Sequence, residues 1–166
     1  MSTRCQVQLI DIWGEEEKKH QSVGAMLYHH MDGYPEFMGP YLEKMLKAIY
    51  EFLEKAGYPY WWDSERVAAC MVLFSAMDYD KPVLPEKRKI EEDQINKQFG
   101  KRKYFNSGVP YFQPSQELHS DIEYLWKIIL LEKGEFEIKC HPVRFNLQDE
   151  IKIETEIDWK EDIKEK

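Results

Sequence analysis

The chain has 166 residues, a net charge of −8, 43% hydrophobic residues and 33% charged residues. That length and mix suit a single globular domain whose core needs neither a disulfide framework nor a structural metal. The acidic balance disfavours binding along a phosphate backbone, which needs clustered Lys and Arg. No apolar run reaches the roughly 18 residues required to cross a bilayer.

Cys5, Cys70 and Cys140 are scattered and odd in number, with no paired C-x-x-C site. They point to a reducing compartment. The N-terminus has no signal-peptide apolar region, so the cytoplasm is the expected location.

Gln6 to Trp13 reads as a first strand with imperfect alternation. Val7 and Leu9 lie on one face, Ile10 and Ile12 on the other. Gly14 to Gln21 is polar and reads as a turn. Val23 to His30 reads as a second strand, with Val23, Ala25 and Leu27 on one face and Met26 and Tyr28 on the other. The two most simply form an antiparallel hairpin. Asp32-Gly33 breaks the strand, and Pro35 and Pro40 suit a helix start. From Tyr41 to Lys55, residues Leu42, Met45, Leu46, Ile49, Phe52 and Leu53 make one apolar stripe. Gly57 and Pro59 end that helix. A second helix, capped by Ser64, runs to about Met77.

Between the helices lies the aromatic run Tyr58-Pro59-Tyr60-Trp61-Trp62, which reads either as a plug over the core or as part of a binding cleft. From Asp78 to Gln116 no periodicity persists, apart from a short helix expected between Pro85 and Phe99. The stretch from Lys81 to Lys103 is locally basic. It reads as a solvated face or as the one segment able to contact nucleic acid.

Alternation returns at Ile122 to Leu130, and Lys133-Gly134 makes a turn into Phe136, Ile138 and Cys140. Ile151 to Trp159 suggests a final strand. The expected fold is α+β in the order ββααβββ: an antiparallel sheet of about five strands with two main helices on one face. Residues 1–166 form one domain, 78–116 a long loop or short-helix insertion, and 160–166 a frayed charged tail.

The chemistry-bearing residues gather at Tyr28 to Pro35. Adjacent strand residues point to opposite faces, so His29 and His30 cannot serve one site on a regular strand, whereas His30 and Asp32 can. A carboxylate beside an imidazole orients it and favours its charged form. His119-x-Asp121 repeats the spacing. If the sheet brings the pairs together, His30, Asp32, His119 and Asp121 make a four-ligand divalent-metal site. Otherwise Asp32-Gly33 is a turn and His30 completes its hydrogen bonding. Cys140-His141 is no nucleophile pair, because the two face apart and Cys140 joins Phe136 and Ile138 inside. There is no P-loop, G-x-G-x-x-G, G-x-S-x-G or H-E-x-x-H.

The segment Leu27-Tyr28-His29-His30-Met31-Asp32-Gly33-Tyr34-Pro35 resembles a signature of small uncharacterised proteins of bacteria, archaea, phages and other mobile elements. Those proteins carry H-W-D-G-Y-P at an early strand-to-helix junction. Met31 stands where the Trp is usual. The resemblance spans roughly residues 24 to 55 and implies no substrate and no catalytic residue.

Two functions are therefore expected. The first is a cytoplasmic binding or interaction protein, of a virus or mobile element, that takes a protein or small-molecule ligand through His30, Asp32, Tyr34, Tyr60, Trp61 and Trp62, with no cofactor. The alternative is a divalent-metal hydrolase acting on nucleotides or nucleic acid through His30, Asp32, His119 and Asp121.

Overall fold

The computed structural model describes residues 3–30, 32–76, 110–145 and 150–164. The first two strands, β1 (Cys5–Trp13) and β2 (His20–His29), form the expected antiparallel hairpin. Helices α1 (Pro35–Lys55) and α2 (Ser64–Ser75) follow. Then come β3 (Phe112–Pro114), β4 (Tyr124–Leu130), β5 (Phe136–Phe145), β6 (Ile151–Ile153) and the short helix α3 (Trp159–Lys164). The lysine-rich stretch 81–103 and the helix expected between 85 and 99 lie outside the described residues. No described helix is long and apolar enough to cross a membrane.

The class α+β stands, but the sheet is not the expected antiparallel one of about five strands with two helices. The described residues give six strands in the order β3-β2-β1-β4-β5-β6, and three helices. β1 and β4 run parallel, from Cys5 opposite Tyr124 to Ile10 opposite Ile129. The reason lies in the edges of the hairpin. β3 takes the outer edge of β2 at Leu27–His29. β3 runs antiparallel to β2 and so in the direction of β1, and residues 115–122 carry the chain from β3 across the sheet to the other edge of the hairpin, where β4 enters in that same direction. β1 thereby becomes a central strand, buried continuously from Cys5 to Ile10. Burial on both faces blurs the period of two, which is why its alternation is imperfect.

Three further differences have local causes. β3 is only Phe-Gln-Pro, too short to carry a period, and its proline suits an edge strand. In β2, Ala25 pairs with Leu9 but Val23 pairs with Ile10, so Gly24 is the extra residue of a bulge. The bulge turns Val23 away from Ala25 and Leu27 to the other face. A Cβ on Gly24 would collide with Ser64 Oγ and the Asp11 carboxylate. Of the expected last strand only Ile151–Ile153 is one; Ile157 makes a single bridge to Cys140, and Trp159 opens α3. Trp159 lies on the Gly39 backbone, where a Cβ would meet the indole, and its Nε1 donates to the Ile138 carbonyl at 3.0 Å. The alternation there comes from one isolated bridge at Ile157 and from helix packing at Trp159.

Leu42, Met45, Leu46 and Ile49 of α1, with Val67 and Met71 of α2, cover Val7, Leu9, Leu27, Trp126 and Ile128 on one face of the sheet. The other face carries a smaller cluster of Tyr28, Ile122, Leu125 and Val143. Residues 115–122 cross this second face. The buried Gln6 clamps them there: its Nε2 donates to Ser115 Oγ at 2.8 Å and to the Glu117 carbonyl at 2.9 Å, while its Oε1 accepts the His119 amide at 2.7 Å.

Candidate functional site

Cys5 opposite His29 marks one end of the hairpin ladder, and Trp13 opposite His20 marks the other. At a rise near 3.3 Å per residue the two lie roughly 25 Å apart. The residues singled out in the sequence divide between these ends. His30, Asp32, Tyr34, His119 and Asp121 gather at the first, and Tyr60, Trp61 and Trp62 at the second.

At the first end, Asp32 adopts a positive φ of 53° and begins the break after β2. Gly33 is pinned on three sides. Its amide donates to the Thr3 carbonyl at 2.9 Å, its carbonyl accepts Trp126 Nε1 at 3.0 Å, and a Cβ would meet the Cys5 side chain at 2.6 Å. Tyr34 is the N-cap residue of α1, and its carbonyl accepts the Met38 amide at 2.9 Å. Pro35 follows, buried, where a missing donor does no harm. Partial burial and the Asp32 carboxylate, which accepts its hydroxyl, raise the Tyr34 phenol above its ordinary range. Asp32 thus serves Tyr34 and the turn.

The other residues at this end meet on Tyr28, which the sequence reading left without a role. His119 stacks on the Tyr28 ring at 4.3 Å and 27°, and His30 meets it edge-on at 4.6 Å and 85°. The Tyr28 hydroxyl donates to Asp121 Oδ2 at 2.9 Å, and Arg4 Nε lies 3.4 Å from the same oxygen. Burial first, then the hydrogen bond and charge of Asp121, push the Tyr28 phenol up to about 12. It is therefore a neutral donor at physiological pH and neither a base nor a nucleophile. His30, His119 and Asp121 each touch Tyr28, while the Asp32 carboxylate accepts the Tyr34 hydroxyl, so the four residues do not form the single cluster that a metal site requires. Among the described residues no three His, Cys, Asp or Glu side chains stand close enough together to hold a metal ion. Cys5 and Cys140 are fully buried; burial lifts the first thiol well above the ordinary range and the second to about 12.

The second end is built from the tip of the β1–β2 hairpin and the α1–α2 loop. Trp61 plugs the core: it is buried, its Nε1 donates to the Glu135 carbonyl at 2.8 Å, and it meets Tyr50 edge-on. Its neighbours point outward. Trp62 is 74% exposed, Tyr60 47% and Trp13 57%. Tyr60 bridges Tyr58 at 4.5 Å and Trp62 at 6.2 Å, and Trp13 stacks on His20 at 4.5 Å. So Trp61 is a plug over the core, while Tyr60 and Trp62 face solvent.

Below Trp62 opens a cleft of ≈ 350 Å³ lined by Ile10, Asp11, Ile12, Leu130 and the first residues of α2. Asp63, not Ser64, caps that helix, accepting the Arg66 amide at 3.1 Å; Ser64 is buried against the Gly24 bulge. Trp13, Asp11 and Glu65 were not singled out in the sequence. The signal for Trp13 was there: an indole at the outer end of a strand, next to a polar turn. No family model, curated protein or solved structure matches this chain.

Proposed function

We propose that this chain is a cytoplasmic binding protein of a virus or other mobile element, and that it captures a partner at the end of the sheet formed by the hairpin tip and the α1–α2 loop. The observation that carries the reading is Trp62, 74% exposed at the mouth of a cleft, with Tyr60 and Trp13 also exposed nearby. Large aromatics grouped at one end of a surface otherwise rich in charge mark interaction sites, because their desolvation is gained only on binding. The compartment rests on three reduced cysteines. The source rests on the resemblance at His30-Met31-Asp32-Gly33-Tyr34-Pro35.

A displayed random-peptide library panned against the protein tests the reading. Binders should emerge, and their affinity should fall at least tenfold on a Trp13→Ala/Trp62→Ala variant of unchanged melting temperature. If no binders emerge, or if they ignore both substitutions, the reading is wrong.

A second reading, metal-dependent hydrolysis, draws on the meeting of His30, His119 and Asp121 around Tyr28. It predicts that Zn²⁺ or Mn²⁺ raises the melting temperature, as any ligand of the folded state must. A melting temperature unmoved by either ion removes it.

A further inference from the structure

Resting on the docking-end reading, we infer that the occupant of the Trp62 cleft is an extended peptide segment bearing arginine or lysine, held by its cationic side chains against Trp62, Asp11 and Glu65. Three observations combine. The first is the charge of the walls. Among the described residues Asp11, Asp63 and Glu65 line the cleft, and no Lys or Arg does. Asp63 is already engaged by Arg66, with Nε to Oδ2 at 3.2 Å. Among the described residues neither Asp11 nor Glu65 belongs to an ion pair. A cation entering here meets three carboxylates and no described cationic side chain, in a chain that carries −8 overall, which favours both capture and approach.

The second observation is that the same loop already binds a guanidinium in this manner. Arg66 lies over the Tyr58 ring with its carbon 4.3 Å from the centroid while it donates to the Asp63 carboxylate. Four residues after Tyr58, Trp62 is 74% exposed and lines the same cleft as Asp11 and Glu65. An aromatic face beside carboxylates is the arrangement that attracts Arg most strongly, since the ring quadrupole and the anions act on the same charge.

The third observation concerns the backbone. The parallel ladder between β1 and β4 ends at Ile10 and Ile129, yet β1 runs on to Trp13. Beyond Ile10 the β4-facing edge of β1 has no strand neighbour among the described residues, and Asp11 and Ile12 form a wall of the cleft. An extended segment can add its backbone to this edge while alternate side chains reach Trp62.

The probes are fluorescein-labelled ten-residue peptides with Arg, Gln or Glu at alternate positions on one otherwise fixed sequence, titrated by anisotropy. The Arg peptide should bind the full chain at least tenfold more tightly than the Gln peptide, and the Glu peptide should not bind. Raising salt from 50 to 500 mM should weaken the Arg peptide at least fivefold. Glu65→Gln, on an exposed helical turn where misfolding is no concern, should weaken the Arg peptide and leave the Gln peptide unchanged; Asp11→Asn should do the same. Methylating alternate backbone nitrogens of the Arg peptide should also weaken it. If Gln and Arg peptides bind equally and both depend on Trp62, the cationic occupant is wrong while the docking end stands. If no peptide of any charge binds in a Trp62-dependent way, both fail.

Discussion

The ends of the β1–β2 hairpin treat conspicuous side chains in opposite ways. At the Cys5–His29 end, a tyrosine, a tryptophan, a glycine and a glutamine are buried and hydrogen-bonded, to the Asp121 and Ser115 side chains, to backbone and, for Trp126 and Gly33, to each other. At the Trp13–His20 end, two tryptophans and a tyrosine face solvent beside a carboxylate-lined cleft. The first end is where the His30-Met31-Asp32-Gly33-Tyr34-Pro35 motif lies. Its Trp126–Gly33 and Gln6 hydrogen bonds hold the start of α1 and the 115–122 segment against the sheet. The lesson is that a dense motif can be dense because a junction needs it. Asp32, Gly33, Tyr34 and Pro35 each have a backbone task within one turn of chain.

Substitutions sharpen the contrast, because the first end should answer in stability and the second in binding. The largest effect belongs to Trp126→Ala. This indole is fully buried, meets Trp159 edge-on at 5.9 Å and donates to Gly33. Removing it leaves a cavity and an unmatched carbonyl and should cost about 4 kcal/mol. For a chain of this size that is a fall of about 10 °C in melting temperature by circular dichroism. A fall of only a degree or two would mean that the junction is not built on Trp126. Gly33→Ala comes next. Its Cβ would meet Cys5 Cβ at 2.6 Å and the Cys5 backbone nitrogen at 3.1 Å. Neither can yield without moving β1, so about 2 kcal/mol should be lost.

Tyr28→Phe is milder. It deletes the donor to Asp121, but that carboxylate is 43% exposed and keeps water and Arg4. A loss of about 1 kcal/mol follows. It should also depend on pH in a defined direction. The phenol is raised from 10.0 to about 12 by burial and by Asp121. A group whose pKa is raised on folding contributes its full stability below the unfolded value and loses it as pH climbs through the folded value. The gap between wild type and Tyr28→Phe should therefore be constant to about pH 10 and shrink between about 10 and 12. A gap that widened over that interval in urea titrations would contradict the hydrogen bond.

The parts of this fold that were legible in the sequence are those with local causes. The hairpin, both long helices, the Lys133-Gly134 turn and the buried Cys140 follow from periodicity and turn chemistry, and the structure contains them. The parallel placement of β4 beside β1 was not legible, because strand order depends on which edge another segment has already taken. The three-residue β3 and the Gly24 bulge were also hidden: each is a single-residue or three-residue event with no period. At the candidate site, the repeated His-x-Asp spacing drew attention to His30, His119 and Asp121, each of which touches Tyr28. It could not reveal Tyr28 as their shared contact, because an aromatic at an alternating strand position looks like core. Trp13 was missed for the opposite reason, having been counted as the last residue of a strand.

The smallest expected change in stability is the most telling for the comparison. Trp62→Ala removes a side chain 74% exposed, whose ring meets only Tyr60, tilted at 6.2 Å, among the described aromatics. Substitutions of that kind stay within about 0.5 kcal/mol. The melting temperature should move by no more than about 2 °C, while affinity for the Arg-bearing peptide falls at least tenfold. Trp61→Ala, one residue away, should do the reverse, since Trp61 is buried and donates to the Glu135 carbonyl. Two adjacent tryptophans that separate stability from binding would locate the boundary between core and docking surface inside a single peptide unit. If Trp62→Ala instead unfolds the protein as Trp61→Ala does, the exposed indole is a structural part of the loop, and the two ends of the sheet do not differ in the way argued.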